Sequence, residues 1–122
     1  MPHILVIDDE RAVRVVLRQM LEKEGYTVAE APDGAVGMEL LHAQLYDLLI
    51  TDLFMPEKEG IETMIAVRRH FPQVKTIAMS GGGRAGALDL LPMAESFGAL
   101  RVLTKPFERQ ELLAAVRAVL RQ

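Results

Sequence analysis

Five short aliphatic runs recur along the chain, at residues 4–7, 26–31, 48–51, 76–79 and 100–103, and the first, third and fourth scarcely alternate with polar residues. Neighbouring side chains of a strand point to opposite sides of its sheet, so a strand that is apolar at successive positions is apolar on both faces. Such a strand must be covered on both sides, as in a parallel sheet flanked by helices.

Helical patterns fill the intervals. Between residues 10 and 24, Val13, Leu17, Met20 and Leu21 share one face, and Gly25 supplies a left-handed stop. Asp33-Gly34 caps a second helix that runs through Met38, Leu41 and Leu45. A third, over 61–70, turns Met64, Ile65 and Val67 inward and ends on Arg68, Arg69 and His70, with Pro72 beyond. The cationic triplet reads as complement to a helix dipole rather than as a partner site. A fourth helix lies between 87 and 97, and the last starts at Glu108, with Leu112, Leu113, Val116, Val119 and Leu120 as its core stripe. Strict alternation of strand and helix with short connections predicts right-handed crossovers and helices on both sides. The expected fold is α/β, a doubly wound (βα)5 domain with a parallel five-stranded sheet. It is expected to take up residues 1–122 as one domain, with no output domain in this sequence.

Composition narrows the function. A chain of 122 residues buries a real core without staples, and the absence of cysteine excludes a disulfide scaffold, a thiolate metal site and a cysteine nucleophile together. Fourteen Lys and Arg against 17 Asp and Glu give a net charge of −3, without the clustered basic surplus of nucleic-acid-binding domains. The first residues lack a positive n-region, and no window approaches the roughly 20 apolar residues that span a bilayer. The expectation is a cytoplasmic protein without direct contact to nucleic acid or membrane.

In an open parallel sheet the functional crevice lies at the carboxyl ends of the strands. The first run is followed by Asp8-Asp9, the third by Asp52, the fourth by Ser80 and the fifth by Thr104-Lys105-Pro106, whereas the second is followed by nothing reactive. Taken singly, an Asp or Ser after a strand is usually a helix cap or turn residue, and a Lys is usually solvated. Four strands ending this way together form a coherent site for a hard divalent cation and a phosphoryl group. Mg²⁺ takes one or two carboxylates and keeps several waters, which suits Asp9 and Asp52. A phosphoryl group moving onto a carboxylate needs its equatorial charge neutralised, a task for the cation on one side and Lys105 on the other, with Asp52 as the nucleophile.

These motifs resemble the response regulator receiver domain of bacterial two-component signalling, over essentially the whole chain. The acidic pair Asp8-Asp9, the phosphoacceptor position Asp52, Met55-Pro56 and Gly60 after it, Ser80, and Lys105-Pro106 each match the family pattern. The resemblance implies a flavodoxin-like strand order of 2-1-3-4-5. It implies that Asp52 accepts phosphate from a phosphohistidine on a sensor histidine kinase or histidine phosphotransfer protein. Asp9, Asp52 and the backbone carbonyl of Phe54 are the implied Mg²⁺ ligands, with Asp8 assisting mainly through water. Ser80 and Lys105 are the implied contacts of the phosphoryl oxygens, and the Lys105-Pro106 peptide is implied to be cis. Such a domain is a switch acting on a downstream protein rather than an enzyme, although it catalyses its own phosphorylation and dephosphorylation.

The chain departs from the family at three places. Val102 stands three residues before the Lys, where an aromatic residue often reports the hydroxyl switch. Phe54 replaces a frequently polar position and is suited either to shielding an acyl phosphate or to anchoring its loop. Residues 81–86 hold four glycines, which permit positive φ, so the connection after Ser80 and the surface of the fourth helix, fifth strand and last helix form the expected output route. Two other readings use the same residues. A haloacid dehalogenase-type phosphohydrolase would need a second Asp two residues after its nucleophile, where this sequence has Phe54, and a cap insertion for which the chain is too short. A receiver-like interaction module that has lost phosphorylation is opposed by the complete acidic set. His3, His42 and His70 are too scattered for a metal site and are expected at the surface.

Overall fold

The computed structural model describes residues 1–53, 59–81 and 90–122. Its strands are β1 (His3–Ile7), β2 (Thr27–Ala31), β3 (Leu48–Asp52), β4 (Lys75–Gly81) and β5 (Ala99–Lys105). They alternate with helices α1 (Arg11–Lys23), α2 (Gly34–Ala43), α3 (Glu59–His70), α4 (Leu90–Ser96) and α5 (Arg109–Leu120). All pairings are parallel, as the apolar runs predict, and the order is β2-β1-β3-β4-β5, as the resemblance implies.

The unbroken apolar runs have a clear cause. Ile4 and Val6 of β1, with Leu48 and Ile50 of β3, pack beneath α1 and α5 against Leu17, Leu21, Leu112 and Val116. Leu5, Ile7 and Leu49, one residue out of phase, pack on the other face against Leu41 of α2 and Val67 of α3. Each central strand therefore serves two cores. The outer strands β2 and β5 mix buried positions with partly buried and exposed ones.

Local signals set most boundaries. The Asp33 side chain accepts from the Val36 amide at 2.9 Å and starts α2, while Glu108 and Glu111 form a reciprocal capping box at the start of α5. Gly25 and Gly98 have φ of +94° and +106°, ending α1 and α4 in the left-handed conformation that glycine adopts without strain.

Three expectations are corrected. Helix α2 stops at Ala43 because Gln44 is extended; Leu45 is thus left 81% exposed, and Tyr46 takes the buried place. Ile65 is 41% exposed, since the inward face of α3 carries Met64 and Val67 and a neighbouring residue is turned by about 100°. His3 is partly buried on β1, its ring 6.0 Å from that of Tyr46, whereas His42 and His70 are exposed.

Candidate functional site

The strand order brings together residues from distant parts of the chain. Asp8 directly follows β1, Asp52 ends β3, Ser80 is the penultimate residue of β4, and Lys105 ends β5, so most of these residues belong to the strands rather than to the loops after them. The pairing of Ile7 with Thr51 carries Asp8 level with Asp52, and Ser80 pairs with Thr104. Lys105 reaches across the sheet from its edge. Its ammonium donates to Asp8 Oδ2 at 2.7 Å and to Asp52 Oδ2 at 3.0 Å, joining two carboxylates that are themselves buried. The Lys105-Pro106 peptide is cis.

The burial has electrostatic consequences. Desolvation pushes the Asp8 carboxyl above its usual value, outweighing the hydrogen bonds from Lys105 and the Glu10 amide, which lower it. Burial by itself pulls the Lys105 ammonium down, but Asp8 and Asp52 together more than offset this and hold it above its ordinary value. Ser80 Oγ is buried and has no hydrogen-bond partner among the described residues. An unpaired buried hydroxyl is costly, so it marks a place where an acceptor is expected.

Asp8, Asp9 and Glu10 each bring a carboxylate oxygen within 4.8 Å of the others, with Asp8 buried and its two neighbours exposed. This donor set is all oxygen, anionic and open on one side, which fits a hard divalent ion that retains water. Glu10 is the member that the sequence reading missed, although three consecutive acids after a strand were the available signal. Phe54, with the expected carbonyl ligand and its shielding role, lies outside the described residues, as do Met55, Pro56 and residues 82–86 of the glycine segment. Gly60 is described: a Cβ there would collide with the Asp52 carbonyl oxygen, so glycine lets α3 lie close against the backbone of the site. Val102 is partly buried against the cluster of Leu53, Met64, Ala78 and Ala94.

The family model of the response regulator receiver domain matches residues 4–117. This chain belongs to that family. It is 38% identical over 122 residues to the transcriptional regulatory protein CpxR of Escherichia coli K12, covering all of this chain and 50% of that protein. It is 29% identical over 117 residues to sporulation initiation phosphotransferase F of Bacillus subtilis, covering 96% of this chain and 92% of the other. A receiver domain from Clostridium thermocellum superposes with a TM-score of 0.89 at 28% identity, covering 99% and 95% of the two chains. A CheY-like receiver domain from Methanospirillum hungatei gives 0.88 at 26%, covering 99% and 94%. The chain thus spans about half the length of CpxR and nearly all of the phosphotransferase. As a receiver domain it is a phosphoryl-accepting signalling switch. Among the described residues no helix is long and apolar enough to cross a membrane.

Proposed function

We propose that Asp52 is the phosphoacceptor and that Asp8, Asp9 and Glu10, with Asp52, form the face on which Mg²⁺ binds. The observation that carries this reading is the Lys105 ammonium held between Asp8 and Asp52. It keeps a charge-neutralising donor beside the one carboxylate at the end of the central strand β3. In the reaction an Asp52 carboxylate oxygen forms a bond to phosphorus while the donor's P–N bond breaks, and the electron pair leaves with the donor histidine. Lys105 exchanges a carboxylate for a phosphoryl oxygen, and the Ser80 hydroxyl gains an acceptor. The bound metal would neutralise charge on the transferring phosphoryl group.

The donor is a phosphohistidine protein, a sensor kinase or a phosphotransfer partner. An apolar groove lined by Val13, Val16, Met20 and Phe107 runs from α1 to Lys105, a surface suited to a helix that presents such a histidine. With Val102 in place of an aromatic reporter, the change leaves the site through the backbone after Ser80 towards α4, β5 and α5. The site acts on itself and turns over no external ester, so a chromogenic phosphate ester is expected to stay intact. The test is incubation with acetyl phosphate and Mg²⁺ followed by intact mass. The wild type should gain one phosphate, and Asp52→Asn or excess chelator should abolish the gain. Equal labelling of Asp52→Asn would overturn the assignment.

A further inference from the structure

Each oxygen of Asp8 accepts a hydrogen bond. Its Oδ1 accepts from the Glu10 amide at 2.8 Å, its Oδ2 accepts from Lys105, and its backbone carbonyl accepts from Arg14 Nη1 at 2.8 Å. The third contact lies outside the machinery described so far. The last ladder bond between β1 and β2 runs from the Asp8 amide to the Ala31 carbonyl, and β2 then ends. At a residue with no solvent exposure, the Asp8 carbonyl takes its donor from the Arg14 guanidinium instead of from the ladder.

Arg14 is itself aimed. Its Nε donates to Glu30 Oε1 at 3.2 Å, while Glu30 Oε2 accepts from Arg18 Nη1 at 3.2 Å, and the Arg14 and Glu30 side chains are only 14% and 22% exposed. The planar guanidinium spans two acceptors at once, the end of β1 and the side chain on β2, which a lysine ammonium on a flexible stem does not reproduce. Resting on the reading of the acidic turn as the Mg²⁺ face, we infer that Arg14 is a positioning residue for that face. Its forked guanidinium pins the backbone at Asp8, so that the Asp8, Asp9 and Glu10 carboxylates converge before the cation arrives. Preformed ligands lose less freedom on binding, and loss of such an outer support typically weakens metal affinity by roughly 10- to 100-fold.

Charge and positioning act here in opposite directions. Removing a cation close to an acidic turn would by Coulomb's law tighten Mg²⁺ binding, whereas releasing the turn would weaken it. Mg²⁺ alone is therefore titrated into wild type, Arg14→Met and Arg14→Lys, followed by backbone-amide NMR and calorimetry, with a thermal melt of each variant. The expected result is a Kd raised by about tenfold in Arg14→Met, and a rise also in Arg14→Lys, where net charge is kept. The rate of labelling by acetyl phosphate should reach half-maximum at correspondingly higher Mg²⁺ and approach the wild-type plateau. A folded Arg14→Met with a Kd equal to or below that of wild type overturns the inference. If Arg14→Met fails to fold, wild-type affinity in Arg14→Lys overturns it. Wild-type protein that binds no Mg²⁺ sinks the proposed function instead, so the two failures are distinguishable.

Discussion

Asp8 has no solvent exposure, and its burial disfavours the charged form that the proposed Mg²⁺ face requires. A group held where its environment opposes its charge costs stability in return for function. Asp8→Asn should therefore raise the unfolding free energy by about 1 kcal/mol while weakening Mg²⁺ binding, as read by urea titration and by metal titration of the same sample. A fall in stability would show that the Lys105 contact outweighs the burial. Arg14 illustrates how residue roles hide. On the helical pattern it is one more polar position on α1, and its contacts with the Asp8 carbonyl and with Glu30 set it apart.

At the scale of elements, α4, described over Leu90–Ser96, is held at its C-terminal end from outside. Arg68 Nη1 donates to the Ser96 carbonyl at 2.6 Å. By sequence the basic triplet at the end of α3 complements that helix's own dipole; one of its members, Arg68, also satisfies a terminal carbonyl of the next helix. Arg68→Ala should loosen the end of α4 with a global loss of about 1 kcal/mol or less, because the contact is exposed. Amide exchange of Phe97 and Gly98, which donate to the Ala94 and Glu95 carbonyls, should accelerate ahead of exchange in β3. Unchanged exchange at those two amides would mean that the tether carries no load.

For the whole molecule, the proposed Mg²⁺ face implies a linkage between metal binding and stability. The sheet joins Asp8, Asp52 and Lys105, the first and last of them 97 residues apart, and a cation bound on this constellation binds only the folded chain. Mg²⁺ at a hundredfold excess over its Kd should add about 2.7 kcal/mol to the unfolding free energy, seen as a higher urea midpoint with an unchanged slope. The gain should vanish in chelator, and Ca²⁺ at equal concentration serves as a comparison for ion size. A midpoint that ignores Mg²⁺ would contradict a preformed site.

The sequence by itself determined the α/β class, the alternation of five strands with five helices and the residues at the strand ends, because apolar periodicity and the caps at Asp33 and Gly25 are local signals. Asp8, Asp52, Ser80 and Lys105 were legible as one site for the same reason: a parallel sheet collects the carboxyl ends of its strands on one edge. Other features depended on contacts between distant segments, which no local pattern encodes. These are the bridge of Lys105 to both carboxylates, the pairing of Arg14 with Glu30 and the Asp8 carbonyl, the Ser80 hydroxyl without a partner among the described residues, and the approach of the Glu10 carboxylate to those of Asp8 and Asp9. Helix ends such as Gln44 and the outward turn of Ile65 were also settled by packing, since an apolar residue near the edge of a helical stripe can be placed on either side until the neighbouring layer is known. Tertiary structure decided these points because the energy of a buried charge or an unpaired polar atom is fixed by what surrounds it in space rather than by its neighbours in the chain.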